Sequence, residues 1–220
     1  MVGLAENLSS TLGLLGTACF MIVVALITSE YAFSHLKSPK KTAVAKVIVG
    51  IVLGVLAIFG TLWGMKLANG TVINVRELAS MIAGSAAGPV GGTIAGLIGG
   101  IHRYAYGGAT AVPCALSTIL IGVISGIIST RISGKWYLVK AAVAGFLMES
   151  MAMAMILVFV PWTQAIHIVE TIAFSMIGAN TIGFVLWVYL ANKLGVIWSK
   201  KKKSPVSGSK AMPAGKDYIS

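Results

Sequence analysis

Residues 74–104 read NVRELASMIAGSAAGPVGGTIAGLIGGIHRY, and the fold turns on whether this stretch crosses a membrane once or folds back. Two apolar pieces, each of about 13–14 residues, meet in it at Gly88-Pro89. Each piece is short against the ~20 residues a transmembrane helix needs, whereas joined they would make one long helix. On either side lie apolar runs of spanning length: Leu12 to Phe33 and Val47 to Trp63 before it, then Ala111 to Thr130, Val139 to Val160 and Ile166 to Leu190 after it. The first run lacks a basic leader and is too long for the core of a signal peptide, so it is expected to remain as a membrane helix.

Composition agrees with a chain built for lipid. The 220 residues are 57% hydrophobic and 10% charged, with a mean hydropathy of +0.90, whereas soluble domains carry roughly 25% charged residues. An ordinary soluble domain is excluded. The net charge of +11 fits the anionic cytoplasmic leaflet better than nucleic acid, because the interior is apolar and the basic residues crowd the span ends and the tail. Cys19 and Cys114 have no metal-ligand spacing and form no disulfide framework. No metal or cofactor is expected.

Charge placement decides between the two readings of 74–104. If it is a re-entrant hairpin entering and leaving on the outer face, with the amino terminus also outside, fourteen of the seventeen Lys and Arg residues fall inside. Only Lys66, Arg76 and Arg103 then lie outside. A sixth full span lowers the inside count to twelve and puts the four-lysine loop around Lys37 to Lys46 on the wrong side. Since basic residues near span ends favour the cytoplasm, the expected fold is all-α: a polytopic membrane helical bundle of five spans plus a re-entrant helical hairpin at about 74–104. Residues 1–198 form the membrane domain, and 199–220, opening on Lys200-Lys201-Lys202-Lys203, form a basic disordered cytoplasmic tail on lipid headgroups.

Backbone that is not helical at membrane depth is tolerated only where protein or a cavity surrounds it, which makes the hairpin the first place to look for function. Gly92, Gly96 and Gly100 recur at four-residue steps and give one arm a small face for close packing. Asn74-Val75-Arg76-Glu77, His102-Arg103 and Cys114 to Thr118 all fall near the outer boundary. Two arginines returning to one face offer rigid forks suited to a carboxylate or phosphate. Cys114, Ser117 and Thr118 add small polar groups at a helix start, where free N–H groups also favour negative charge. The competing reading is that each arginine snorkels to the interface or pairs with Glu77, and that Cys114 is core packing.

Glu149 stands in the middle of the fourth run, where an ionised group is costly, so it must face the bundle interior. It serves there as a structural hydrogen-bonding residue or as a proton-coupled site, the structural role being favoured. Methionines 148, 151, 153 and 155 around it are core filling, and Asn180 bonds across helices. Catalysis has no support: the chain has no glycine-lysine phosphate loop, HExxH, nucleophile elbow, or kinase or cyclase signature.

The segments NVR, GPVGGTIAGLIGGIHRYAYGG and TAVPCALSTILIGVISG, in that order from Asn74, resemble the five-transmembrane sensor domain of LytS-type receptors, the 5TMR-LYT family. Glu149 followed by methionines resembles that family's later span more weakly. The family is distantly similar to the substrate-binding membrane subunits of energy-coupling-factor transporters. The resemblance implies the input module of a bacterial inner-membrane histidine kinase or diguanylate cyclase, linked to cell-wall regulation or to sensing a small carboxylate such as pyruvate. It implies that Arg76 and Arg103 bind the ligand carboxylate and that Cys114 and Ser117 complete the pocket, with Asn74, His102 and Thr118 around it. The sequence departs from the family pattern in having no kinase or cyclase segment after the last span. The expected partners are the ligand, membrane lipid, and a second copy or an output kinase or cyclase. The alternative function is a small-molecule transporter or substrate-capture subunit.

Overall fold

The computed structural model describes residues 4–35, 39–66 and 71–195, with side chains from 12–34, 42–65 and 71–195. The basic tail at 199–220 lies outside the described residues. The chain forms α1 (Leu4–His35), α2 (Pro39–Leu62), a two-residue antiparallel pair β1 (Met65–Lys66) and β2 (Val72–Ile73), then α3 (Arg76–Tyr106), α4 (Ala111–Ile128), α5 (Tyr137–Phe159) and α6 (Trp162–Lys193). All six helices are long and apolar enough to cross a membrane. Most run a few residues beyond the apolar stretches, because the helix continues through flanking interfacial turns that hydropathy does not mark. At the end of α4 the chain instead tightens into a 3-10 turn, Ser129–Arg131.

The third helix is two arms folded against each other. Gly88 has φ 71° and ψ −168°, a conformation in which a side chain is strained, and Pro89 restarts the helix where a first-turn N–H would have no partner. A Cβ added to Gly92 would lie 2.9 Å from the Cα of Gly84, and one added to Gly99 would lie 3.7 Å from Cγ of Arg76. In one straight helix residues 76 and 99 would be over ~30 Å apart. The two ends of α3 therefore share one end of the bundle, as the charge count requires of a hairpin. Its tip reaches the far end, where Pro89 packs on Gly126 of α4 and Gly91 on the carbonyl of Lys46 in α2. The second arm, 89–106, is about 26 Å long, close to the ~30 Å hydrocarbon thickness.

Glycine lets the arms and α4 touch backbone to backbone. Gly92 and Gly122 abut through their carbonyl groups, and a Cβ on Gly96 would meet the Cα of Ile119 at 2.8 Å. Without a hydrophobic drive between helices in lipid, such van der Waals contact is a main source of helix association. The first arm is the bundle's core, with every residue from Arg76 to Ser85 buried. Around it α2, α4 and α6 form a wall, with Leu78 against Gly183 and the Trp187 indole donating to Ser85 Oγ at 2.7 Å. Apolar side chains such as Phe20, Ile27, Phe146 and Val158 cover the outside, as a lipid-facing surface requires.

Candidate functional site

The two mouths of the hairpin bring the chemistry together. Asn74 makes the turn into the first arm: its Oδ1 accepts the Arg76 backbone N–H at 3.0 Å and its Nδ2 donates to the Val72 carbonyl at 3.0 Å. Such a local side-chain turn is a standard asparagine role. Its own carbonyl accepts from Asn180 Nδ2 of α6 at 3.4 Å. The residue expected to touch ligand thus places Arg76 and joins the turn to the last helix, using one donor and one acceptor site of its amide.

Arg76 is fully buried and each of its nitrogens is held. Nε donates to Thr118 Oγ1 at 2.8 Å, Nη1 to Thr61 Oγ1 at 3.3 Å and Nη2 to Glu77 Oε1 at 2.5 Å. Thr118 in turn donates to the Cys114 carbonyl at 2.7 Å and stands 3.2 Å from Glu77 Oε1. Of the two readings weighed for Arg76, pairing with Glu77 is realised and snorkelling is not.

Arg103 is equally removed from water, 1% exposed, but is differently satisfied. Nη1 donates to the Gly107 carbonyl at 2.5 Å and Nη2 to Thr110 Oγ1 at 2.8 Å, while Nε has no partner. All of its acceptors are neutral. Arg76–Glu77 is the ion pair formed among the described residues, so the second guanidinium is buried with no carboxylate at ion-pair distance, Glu77 reaching it only through the longer-range field. Burying a charge unpaired is costly.

Cys114 is a buried free thiol within electrostatic reach of Arg76, Arg103 and Glu77. Ser117 Oγ, beside it on α4, bonds back to the Cys114 carbonyl at 3.0 Å. His102 is half-buried, its ring 6.1 Å from that of Tyr106 and its Nδ1 without a partner. Glu149 is buried with both carboxyl oxygens unbonded, and it interacts with Glu77, Asn180 and Arg76 across the bundle. The structure thus brings Arg76, Arg103, Cys114, Ser117 and Thr118 to one end of the bundle and keeps His102 on its flank. Sequence reasoning gave no site role to Thr61, Thr110 or Glu77. Each ends or starts a helix next to an arginine in space, and of these only Glu77 is next to one in sequence. No group of three or more His, Cys, Asp or Glu with metal-binding geometry occurs among the described residues.

Comparison with known proteins places the chain in a family. A family model described as the 5TMR of 5TMR-LYT matches residues 30–194. The chain is 35% identical over 173 residues to the sensor histidine kinase YpdA of Escherichia coli K12, covering 76% of this chain and 29% of that protein. It is 31% identical over 183 residues to the sensor histidine kinase BtsS of the same strain, covering 80% and 32%. It is 35% identical over 127 residues to the sensor protein LytS of Bacillus anthracis, covering 54% and 20%. The chain thus spans about a third or less of the relatives it matches. No solved structure matches it.

Proposed function

We propose that this chain, which belongs to the 5TMR-LYT family of five-transmembrane receptor regions, is a sensor domain that takes a small carboxylate between Arg76 and Arg103. It is a multi-pass membrane sensor domain of the kind found in histidine kinases. The finer reading concerns the ligand, its side of entry and the output.

One observation carries it: the buried Arg103 guanidinium has only neutral acceptors and an unbonded Nε. Glu77 is ion-paired with Arg76, and Glu149 interacts with Arg76 across the bundle, so Arg103 is the guanidinium of the two that lacks a carboxylate in hydrogen-bonding contact and could take a ligand's. A ligand carboxylate would take Arg103 Nε and draw Arg76 partly away from Glu77. Cys114, which interacts with both arginines, and Ser117 one turn along α4 would contact the remainder of a short molecule such as pyruvate. In this reading the mouth faces outward, the amino terminus is outside, and the carboxyl terminus lies in the cytoplasm of a bacterial inner membrane. Because Asn180 of α6 bonds the turn that carries Arg76, a shift of Arg76 would reach the last helix, and through it a kinase or cyclase output. Such a shift requires different ligand affinity in two states.

The test is a thermal-shift and calorimetric titration of the detergent-purified protein with pyruvate and related short carboxylates, on wild type and Arg103→Ala in parallel. A ligand binding the folded state raises apparent stability by RT ln(1 + [L]/Kd). Saturable stabilisation present in wild type and absent in Arg103→Ala is expected. Equal stabilisation in both removes the site.

A further inference from the structure

A second site lies at the opposite end of the bundle, on the membrane-facing side. Between α4 and α5 the surface opens into a cavity of about 530 Å³, walled by Ile124, Ile128, Val143 and Leu147 and rimmed at one end by Arg131 and Lys140. Its lateral wall is exposed, with Val143 at 52% and Leu147 at 59%. From Lys140 to Leu147 the groove runs about 10 Å down α5 at 1.5 Å per residue.

The basic rim is not neutralised by the protein. No acidic residue occurs between Glu77 and Glu149, and Arg131 forms no ion pair among the described residues. Lys140 Nζ donates to the Arg131 and Ser133 carbonyls at 3.3 and 3.0 Å, which fixes the turn and holds a second cation beside the first. Next to them the Lys135 ammonium lies 5.9 Å from the ring centre of Trp136, itself 64% exposed. An exposed tryptophan beside lysine marks the headgroup level of a membrane. The cations therefore sit at the depth of lipid phosphates and the groove continues into the depth of acyl chains.

We propose that this groove is a binding site for one anionic phospholipid, with its phosphate and headgroup charge on Arg131 and Lys140 and an acyl chain along Ile124, Ile128, Val143 and Leu147. A second copy of this chain is disfavoured as occupant. A two-fold interface would bring the same unpaired cations together, whereas basic pockets between helices suit anionic headgroups. The site is independent of the carboxylate site, which lies at the other end of the hairpin.

The experiment is native mass spectrometry of the detergent-purified protein with phosphatidylglycerol and phosphatidylcholine added in equal amounts, with thermal unfolding as the fold control. Wild type is expected to retain phosphatidylglycerol preferentially, and each cation is expected to supply about fivefold of that preference. Arg131→Gln, an exposed substitution, should lower the preference by that factor, and R131Q/K140Q should abolish it. Val143→Trp, which fills the groove from its open side, should reduce retention of both lipids. No preference in wild type overturns the site. So does an unchanged preference in Arg131→Gln, and so does a V143W protein that loses dimers while retaining lipid.

Discussion

Arg76 and Glu77 are consecutive residues, yet their side chains meet, Nη2 to Oε1 at 2.5 Å in a fully buried setting. Neighbours in a helix ordinarily diverge. Here the pair closes at the first residue of α3, where Thr118 of α4 stands against both groups. Glu77 thus occupies on Arg76 a position that an external carboxylate would contest. Replacing it by glutamine keeps the shape and removes the competing charge. Glu77→Gln is expected to bind a short carboxylate about tenfold more tightly, equivalent to ~1.4 kcal/mol. It should also unfold at lower temperature, because a buried ion pair that loses one partner is destabilised. Calorimetric titration checks the first part; a fall in affinity would mean that Glu77 positions Arg76 and does not compete for it.

The abutting carbonyls of Gly92 and Gly122 predict an asymmetric glycine map. Gly92→Ala should cost about 1–3 kcal/mol, the usual range for overpacking, because the added methyl meets backbone that cannot move alone. Gly13→Ala, inside α1 with nothing within 4 Å of the new carbon, should cost nothing and stabilise by up to about 1 kcal/mol. Unfolding in mixed micelles measures both, and equal effects would contradict the close approach.

The folded-back α3 makes a topological statement that can be tested chemically. In a background lacking both native cysteines (Cys19→Ser, Cys114→Ser), Trp63→Cys after α2 and Ala109→Cys before α4 should react with an impermeant maleimide from the same side of intact vesicles. Both positions are exposed. Reaction from opposite sides would require α3 to cross once.

Asn180 is the link between α6 and the turn at Asn74. Asn180→Leu is expected to destabilise the domain by about 0.6 kcal/mol and at most ~1.7, the measured span for interhelical hydrogen bonds in membranes. Carboxylate affinity should fall much less than in Arg103→Ala. Abolished binding would make Asn180 part of the ligand shell.

A sensor binds without accumulating. Sealed vesicles containing the protein are expected to show saturable binding of radiolabelled pyruvate and no time-dependent uptake above protein-free vesicles; concentrative or facilitated uptake would favour the transporter alternative.

The hairpin was legible in the sequence because two independent features coincide at it. Gly88-Pro89 interrupts a run whose halves are short, and Arg76 and Arg103 fall on the same side only if the run turns back. The depth of the tip was not legible, since arm length alone does not say that Pro89 packs against Gly126. Arg76 and Arg103 were singled out from charge in an apolar chain, and Cys114, Ser117 and Thr118 from their position at a helix start; the fold brings the five to one end of the bundle. Asn74 and Ser117 were expected as ligand groups, but both are engaged with nearby backbone carbonyls, Asn74 with a backbone N–H as well. Thr61 and Thr110 carried no signal, because a threonine near a helix end is common and only the fold brings these two to the arginines. Glu149 is buried, but its nearness to Glu77 and Asn180 depends on helix rotations that the weak periodicity of apolar spans does not reveal.

The enclosed first arm of α3 also sets an order of assembly. Arg76, Glu77, Ser80 and Ser85 are buried on all sides, partly by α6, which is synthesised last among the described helices. Until α6 arrives, these polar groups have an incomplete wall and would face lipid at a cost. The arm is therefore expected to wait near the membrane surface or at the insertion machinery, and to sink to its final depth only after Trp187 and Asn180 are in place. Biogenesis of this domain, on that view, ends in the least apolar of its six long helices.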